Sequence, residues 1–374
     1  MDPKPKLYFP GLNALRFFAA LAVIICHVEL IKSAFGLPSL YNTWKIIPEL
    51  GSLGVYFFFV LSGFLITYLL LQEQSKTKTV SVRKFYMRRI LRIWPLYFII
   101  VILGFFILPS FDKLHITYLQ KNFTEHFSTN LLLYMLILPN VAFAFFTASP
   151  HIGHLWSIGV EEQFYLTWPW LFKRKHHLLK WLWIILVLLI GSKVLFIIYY
   201  KTTVPTETLT AIKNLIAMSK FENMAIGGIG AIYLFENKTK VLKWAYKPII
   251  FYLSLVLVPV LVYTPDMLQD GIHIVYSVLF LIIILNVVRL NNVNSFLEKK
   301  VFIWLGNLSY GIYMYHMAII AIVCCTLKYY LIPGNPILMH VITYTLSLLL
   351  SIFVSHVSYR YVESFFLRLK ERFN

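Results

Sequence analysis

Eleven apolar runs of near-uniform length divide this chain, at about 12–31, 50–71, 93–109, 131–147, 155–172, 178–199, 221–236, 248–264, 271–288, 303–327 and 337–359. Roughly twenty apolar residues in a helix cross the hydrocarbon core of a bilayer. The chain therefore reads as an all-α polytopic membrane protein, a single transmembrane domain over residues 1–374 with short loops. Composition agrees, with 59% hydrophobic and 13% charged residues, too few charges for soluble domains.

Charge tests whether all eleven runs cross. The net charge of +18 is gathered in a few loops, chiefly 75–92, KRKHH (173–177) and 237–247. Basic loops stay on the cytoplasmic side, which also places Lys4 and Lys6 inside. If every run crossed, KRKHH and 237–247 would lie outside, and Asp266 and Asp270 inside. One run between 93 and 172 must therefore turn back. The expected one is 131–147, which is short and interrupted by Pro139-Asn140. The expectation is a bundle of about ten transmembrane helices, one re-entrant segment and both termini cytoplasmic. The first run is expected to be a retained span rather than a cleaved signal peptide, because it holds Arg16 and His27 and lacks a clean small-x-small site.

Several chemistries are excluded early. No basic soluble domain exists to present charge to nucleic acid. The three cysteines, Cys26, Cys324 and Cys325, lie in apolar runs and form neither a disulfide framework nor a metal set. His151, His154, His176 and His177 lie in or beside loops without zinc spacing, so no metal is expected. No H-E-x-x-H, Walker loop, G-x-G-x-x-G or G-x-S-x-G occurs.

What remains is a set of ionisable groups inside apolar helices, which are costly and typically face a bundle interior or watery cavity. Arg16 and His27 are eleven residues apart, nearly three turns, so they share a face with a separation of roughly 16 Å. Arg16 alone reads as snorkelling; the pair reads as a path down the bundle. Glu161 lies about two turns deep from the side that holds His27, and a buried carboxylate can orient a histidine for proton abstraction. Its plainer role would be to cap a helix end with Glu162. Arg89 and Arg92, three apart before Pro95, share a face at the inner interface, where arginines grip phosphates bidentately or simply anchor the helix. Pro95 fits the first turn of the span that follows. Gly51, Gly54, Ser62 and Gly63 read as close-packing residues. Ser309, Tyr310, Tyr313 and His316 put a polar stripe on an apolar helix, either a cavity wall or a set of interhelical hydrogen bonds.

Five blocks in this order carry a resemblance. They are Arg16…His27; GVYFFFVLSGFLI (54–66); Arg89, Arg92 and Pro95; Trp156, Ser157, Val160, Glu161, Gln163, Phe164 and Tyr165; and Gly306, Ser309, Tyr310, Tyr313 and His316. Together they resemble the acyltransferase family 3 of integral membrane proteins, over almost the whole chain. The family often ends its last span with E-x-P, where this chain has Glu363-Ser364-Phe365. Some members carry an esterase-like domain after the last span, and none is expected before Asn374.

The resemblance implies O-acyl transfer, typically of acetyl, from cytoplasmic acyl-CoA to a hydroxyl of a cell-surface or exported glycan or lipid-linked sugar. The expected setting is the bacterial cytoplasmic membrane. Acetyl-CoA is then the donor substrate, and no permanently bound cofactor is expected. Arg16, Arg89 and Arg92 would hold the CoA diphosphate. His27 would act as general base or carry the acyl group covalently, and Glu161 would orient it. Ser309, Tyr310, Tyr313 and His316 would line the substrate path. The rival is a transporter or flippase of a glycan or lipid-linked precursor. It predicts inverted repeats, and the two halves show no convincing similarity.

Overall fold

A computed structural model describes residues 8–116, 123–146, 150–173, 177–263, 269–289, 294–330 and 335–373. Asp266 and His176 lie outside the described residues. All regular elements among these residues are helical. The α-helices of seven or more residues are α1 Leu12–Ala34, α2 Ile46–Thr77, α3 Val82–Ile102, α4 Phe127–Met135, α5 Pro139–Phe146, α6 Trp156–Leu171, α7 Leu178–Thr202, α8 Glu207–Met218, α9 Phe221–Phe235, α10 Thr239–Ala245, α11 Pro248–Val260, α12 Gln269–Arg289, α13 Lys300–Tyr330, α14 Pro336–Ser358 and α15 Ser364–Glu371.

Seven helical segments among the described residues are long and apolar enough to cross a membrane: Leu12–Ala34, Ile46–Thr77, Val82–Ser110, Leu178–Thr202, Gly271–Arg289, Lys300–Tyr330 and Pro336–Glu371. The pair Thr239–Ala245 and Pro248–Tyr263, bent by 57°, makes an eighth if it is one span. The sequence led us to expect about ten. The difference is α6 and α9, with 16 and 15 residues. They reach only roughly 24 and 22 Å, short of a core of about 30 Å. α6 leaves Leu166 and Trp170 exposed, whereas α9 is buried from Glu222 to Ile232. A helix walled by protein need not match the lipid thickness.

The run expected to turn back is two short helices, α4 of 9 residues and α5 of 8, neither able to cross. They break at Ile137, which has a left-handed φ of 59°. Pro139 then opens α5, where its missing N–H costs nothing. Reciprocal amide bonds between Asn140 and Gln163, 2.8 and 3.2 Å, tie α5 to α6.

The third span starts earlier than its apolar run. Ser81 caps α3 by accepting from the Lys84 N–H, so the basic block is helical and belongs to the same rod. Pro95 therefore lies in the helix interior rather than in a first turn, and the Leu91 carbonyl loses its usual partner. The last span also continues. Phe365 has the N–H that a proline would lack, and the chain passes through a π turn, Tyr359–Glu363, into α15.

Small residues set the central contacts. A Cβ on Gly63 would lie 1.9 Å from the Met224 carbonyl oxygen, and one on Gly227 2.0 Å from that of Val60. The α2 and α9 backbones thus touch through reciprocal glycines, as close packing in lipid requires. Gly51 and Gly54 face Cys26 and Ala19 of α1. On α14, Thr343, Ser347, Ser351 and Ser355 are fully buried, and the row faces α13, where Ser355 meets Gly311. The C-terminal end of α1 is pinned by buried charges. Lys32 Nζ donates to Glu29 at 2.9 Å and lies 2.5 Å from His340 Nδ1, and the Leu40 N–H donates to Glu29 at 2.6 Å.

Candidate active site

Five helices enclose a cavity of about 280 Å³, and most of the ionisable groups picked out from the sequence line it. Arg16 comes from α1, Ser62 from α2, Arg89 and Arg92 from α3, Glu161 and Tyr165 from α6, and Ser309, Tyr310 and Tyr313 from α13. Tyr8 also lines it and is clamped by Glu298, which accepts from the Tyr8 hydroxyl and the Gly11 N–H, both at 2.5 Å. Burial and that carboxylate push the Tyr8 phenol up to about 12.

One end of the cavity is cationic. Arg16, Arg89 and Arg92 lie near enough to repel one another, and none makes a salt bridge with another described residue. Arg89 lies over the rings of Phe85 and Tyr165, 5.5 and 5.8 Å from their centroids. Its Nε is buried without a hydrogen-bond partner. The neighbouring Arg88 is different: it donates to Glu73 at 2.8 Å and to the Phe373 carbonyl at 2.9 Å. In sequence the two arginines are indistinguishable. In the fold one holds the chain together, and the other points a free cation at the cavity.

Glu161 belongs to this cationic end. It lies beside Ser62 and Tyr165, which are hydrogen-bonded to each other, and within electrostatic reach of Arg89 and Arg16. No hydrogen bond or ion pair joins it to His27 among the described residues. The expected Glu161–His27 pair is therefore not formed. Helical depth put the two on one level, but α6 turns Glu161 toward α3. Glu162 instead accepts from Trp94 Nε1 at 2.9 Å.

The other end is neutral and aromatic. The Tyr313 hydroxyl meets Ser157 Oγ at 2.6 Å and donates to the His154 carbonyl, 3.1 Å away. Behind it stand three histidines. His27 Nδ1 lies 2.7 Å from His316 Nε2, and His316 Nδ1 lies 2.5 Å from the Tyr313 carbonyl. His154 packs edge-on against His316, with centroids 4.8 Å apart. His27 and His316 do not line the cavity itself. Of the remaining stripe, Ser309 bonds back to Gly306 at 2.7 Å and Tyr310 donates to the Ile93 carbonyl at 2.8 Å. These two hydroxyls serve the helices as well as the wall.

Sequence reasoning missed His154, placing it among loop histidines. It is buried, in a short 3-10 turn just before α6. Its signal was its place two residues ahead of the Trp156-Ser157 block. No group of three or more His, Cys, Asp or Glu residues positioned to hold a metal ion occurs among the described residues.

Comparison with known proteins gives this arrangement a context. A family profile described as an acyltransferase domain matches residues 9–357. The O-acetyltransferase OatA of Staphylococcus aureus (strain NCTC 8325) is 28% identical over 389 residues, covering 96% of this chain and 57% of its own length. A putative O-acetyltransferase of S. aureus strain COL is 26% identical over 397 residues, covering 96% and 58%. The chain thus spans little more than half the length of these relatives. No solved structure matches it. With the profile covering every helix that builds the cavity, the chain belongs to the acyltransferase 3 family.

Proposed function

We propose that this protein moves an acetyl or similarly short acyl group from cytoplasmic acyl-CoA to a hydroxyl of a cell-surface or exported glycan, in a bacterial cytoplasmic membrane with both termini inside. One observation carries the reading. A single cavity has, at one end, three arginines without salt-bridge partners among the described residues and, at the other, a Tyr313–Ser157 pair backed by three histidines. The relatives' names, O-acetyltransferase, support acetyl as the group and oxygen as its destination.

The chemistry follows from the two ends. Arg16, Arg89 and Arg92 supply charge-assisted donors for a diphosphate, and Glu161 with Tyr165 and Ser62 keeps their surroundings ordered. The pantetheine arm then extends toward Tyr313, over a span comparable to the roughly 16 Å between Arg16 and His27. His27 acts as general base. As the acceptor oxygen attacks the thioester carbonyl, the hydroxyl proton passes to His27. The C–O bond forms, the C–S bond breaks, and the sulfur leaves with the electron pair and takes the proton back from His27. The products are an acetyl ester and CoA thiol. Holding both reactants in preset geometry lets a neutral imidazole suffice.

The test uses membranes carrying the wild-type chain or His27→Ala, supplied with acetyl-CoA labelled in its acetyl group. Label should enter the glycan fraction in wild type alone. Equal label in both removes His27 from the reaction. No label in wild type overturns acetyl-CoA as donor.

A further inference from the structure

The ring nitrogens around the candidate base are assigned by backbone carbonyls. A carbonyl only accepts, so His316 Nδ1, 2.5 Å from the Tyr313 carbonyl, carries a proton and donates it. A neutral His316 then has its lone pair on Nε2. That nitrogen lies 2.7 Å from His27 Nδ1, so His27 Nδ1 must donate. The lone pair of His27 is left on Nε2, which makes no hydrogen bond among the described residues.

The geometry of the pair fits a directed bond rather than a stacked contact. The two rings are only 21° from parallel, with centroids 5.0 Å apart. The centroid separation exceeds the 2.7 Å N···N distance by about two ring radii, so the nitrogens meet end to end. Charged alternatives fit poorly. Two imidazolium rings would face N–H to N–H on this axis. A lone charge on His316 would be fully buried with no carboxylate at ion-pair distance among the described residues, an expensive state. His154 holds the ring from the side. Its Nε2 lies 3.2 Å from the Met314 carbonyl and donates to it, and its ring crosses that of His316 at 66°. Burial separates the roles: His316 is fully buried, while His27 keeps part of its surface accessible.

We infer that His316 is the positioning residue for His27, fixing the tautomer that leaves His27 Nε2 as the basic atom. This rests on the proposed reading of His27 as general base, and it moves to His316 the orienting role first expected of Glu161. When His27 Nε2 takes the acceptor proton, the Nδ1–H bond to His316 stays in place and spreads the charge. No proton need leave the ring before the sulfur reclaims it.

The experiment has a spectroscopic arm and a kinetic arm. Imidazole nitrogen-15 spectra of the full chain in lipid nanodiscs, assigned by loss of signal in His27→Gln, report the tautomer whether or not acyl transfer is detected. Wild type should show a protonated Nδ1 and a bare Nε2 at His27. In the kinetic arm, His316→Phe should lower kcat by roughly 10²- to 10⁴-fold, the range a general base contributes, with KM for acetyl-CoA unchanged. His316→Gln, whose amide oxygen accepts the same bond, should recover at least about tenfold of that loss, as expected for a bond worth roughly 1.4 kcal/mol. A bare Nδ1 at His27 in the wild-type spectrum overturns the inference, as does equal kcat for the Gln and Phe variants. An inactive wild type with the expected tautomer would overturn the proposed function and leave the positioning intact.

Discussion

Replacing Arg89 with alanine tests whether the cationic end reads a phosphate or only anchors a helix. Arg89 is the best placed of the three arginines for this test. Its guanidinium lies over two aromatic rings, its Nε is buried and unpartnered, and no carboxylate within salt-bridge distance offsets its charge. A hydrogen bond to a charged group contributes about 1.5–3 kcal/mol. Its loss should lower kcat/KM for acetyl-CoA by roughly ten- to 150-fold. The informative comparison is a second donor, acetylpantetheine, which has the thioester arm but no diphosphate. With it, Arg89→Ala should change kcat/KM by less than about twofold, so the penalty appears only where arginine and phosphate are both present. Initial rates with purified protein in lipid vesicles, at fixed acceptor and varied donor, give the four values. Arg88→Ala serves as control: it breaks the contacts to Glu73 and Phe373 and should not discriminate between the donors. Equal losses with both donors for Arg89→Ala would refute the phosphate assignment and leave anchoring as its role.

Three further outcomes are expected. Gly63→Ala must drive α2 and α9 apart by at least about 1 Å, since the added carbon starts 1.9 Å from the Met224 oxygen; thermal melting in detergent should drop by an overpacking cost of about 1–3 kcal/mol. Gly191→Ala, with nothing within 4 Å of its Cβ position, should hold or gain up to about 1 kcal/mol, and similar losses in the two variants would sink the packing argument. Lys32→Met removes the cation paired with the buried Glu29 carboxylate and leaves it the Leu40 N–H and His340, so the cost should reach about 3 kcal/mol, the low end for a broken buried pair; adding Glu29→Gln should restore much of it, and a double variant less stable than either single one contradicts the pairing.

Much of the bundle was legible because lipid imposes a length. The runs at 12–31, 50–71, 178–199, 271–288, 303–327 and 337–359 each became a membrane-length helix. The break in 131–147 into two short helices was legible in Pro139-Asn140. α6 and α9 fall short of membrane length, which an apolar run does not record: it shows that a stretch is shielded from water and not how long its helix is. Pro95 was misjudged, since a basic block reads as a loop until its cap at Ser81 is recognised.

By itself, the sequence determined the class of protein, the family blocks and the residues that share a helix face, such as Arg89 with Arg92 and Ser309 with Tyr313. Those are properties of single helices, fixed by a pitch of 3.6 residues per turn. Which groups meet across helices was decided only by the tertiary structure. Glu161 joins the arginines and not His27, His316 takes the place at His27 Nδ1, and His154 enters from a turn to close the group. The rotation of each helix about its own axis makes that choice. It is set by contacts between helices, among them the reciprocal glycines of α2 and α9, and a helix's own periodicity is the same at every rotation.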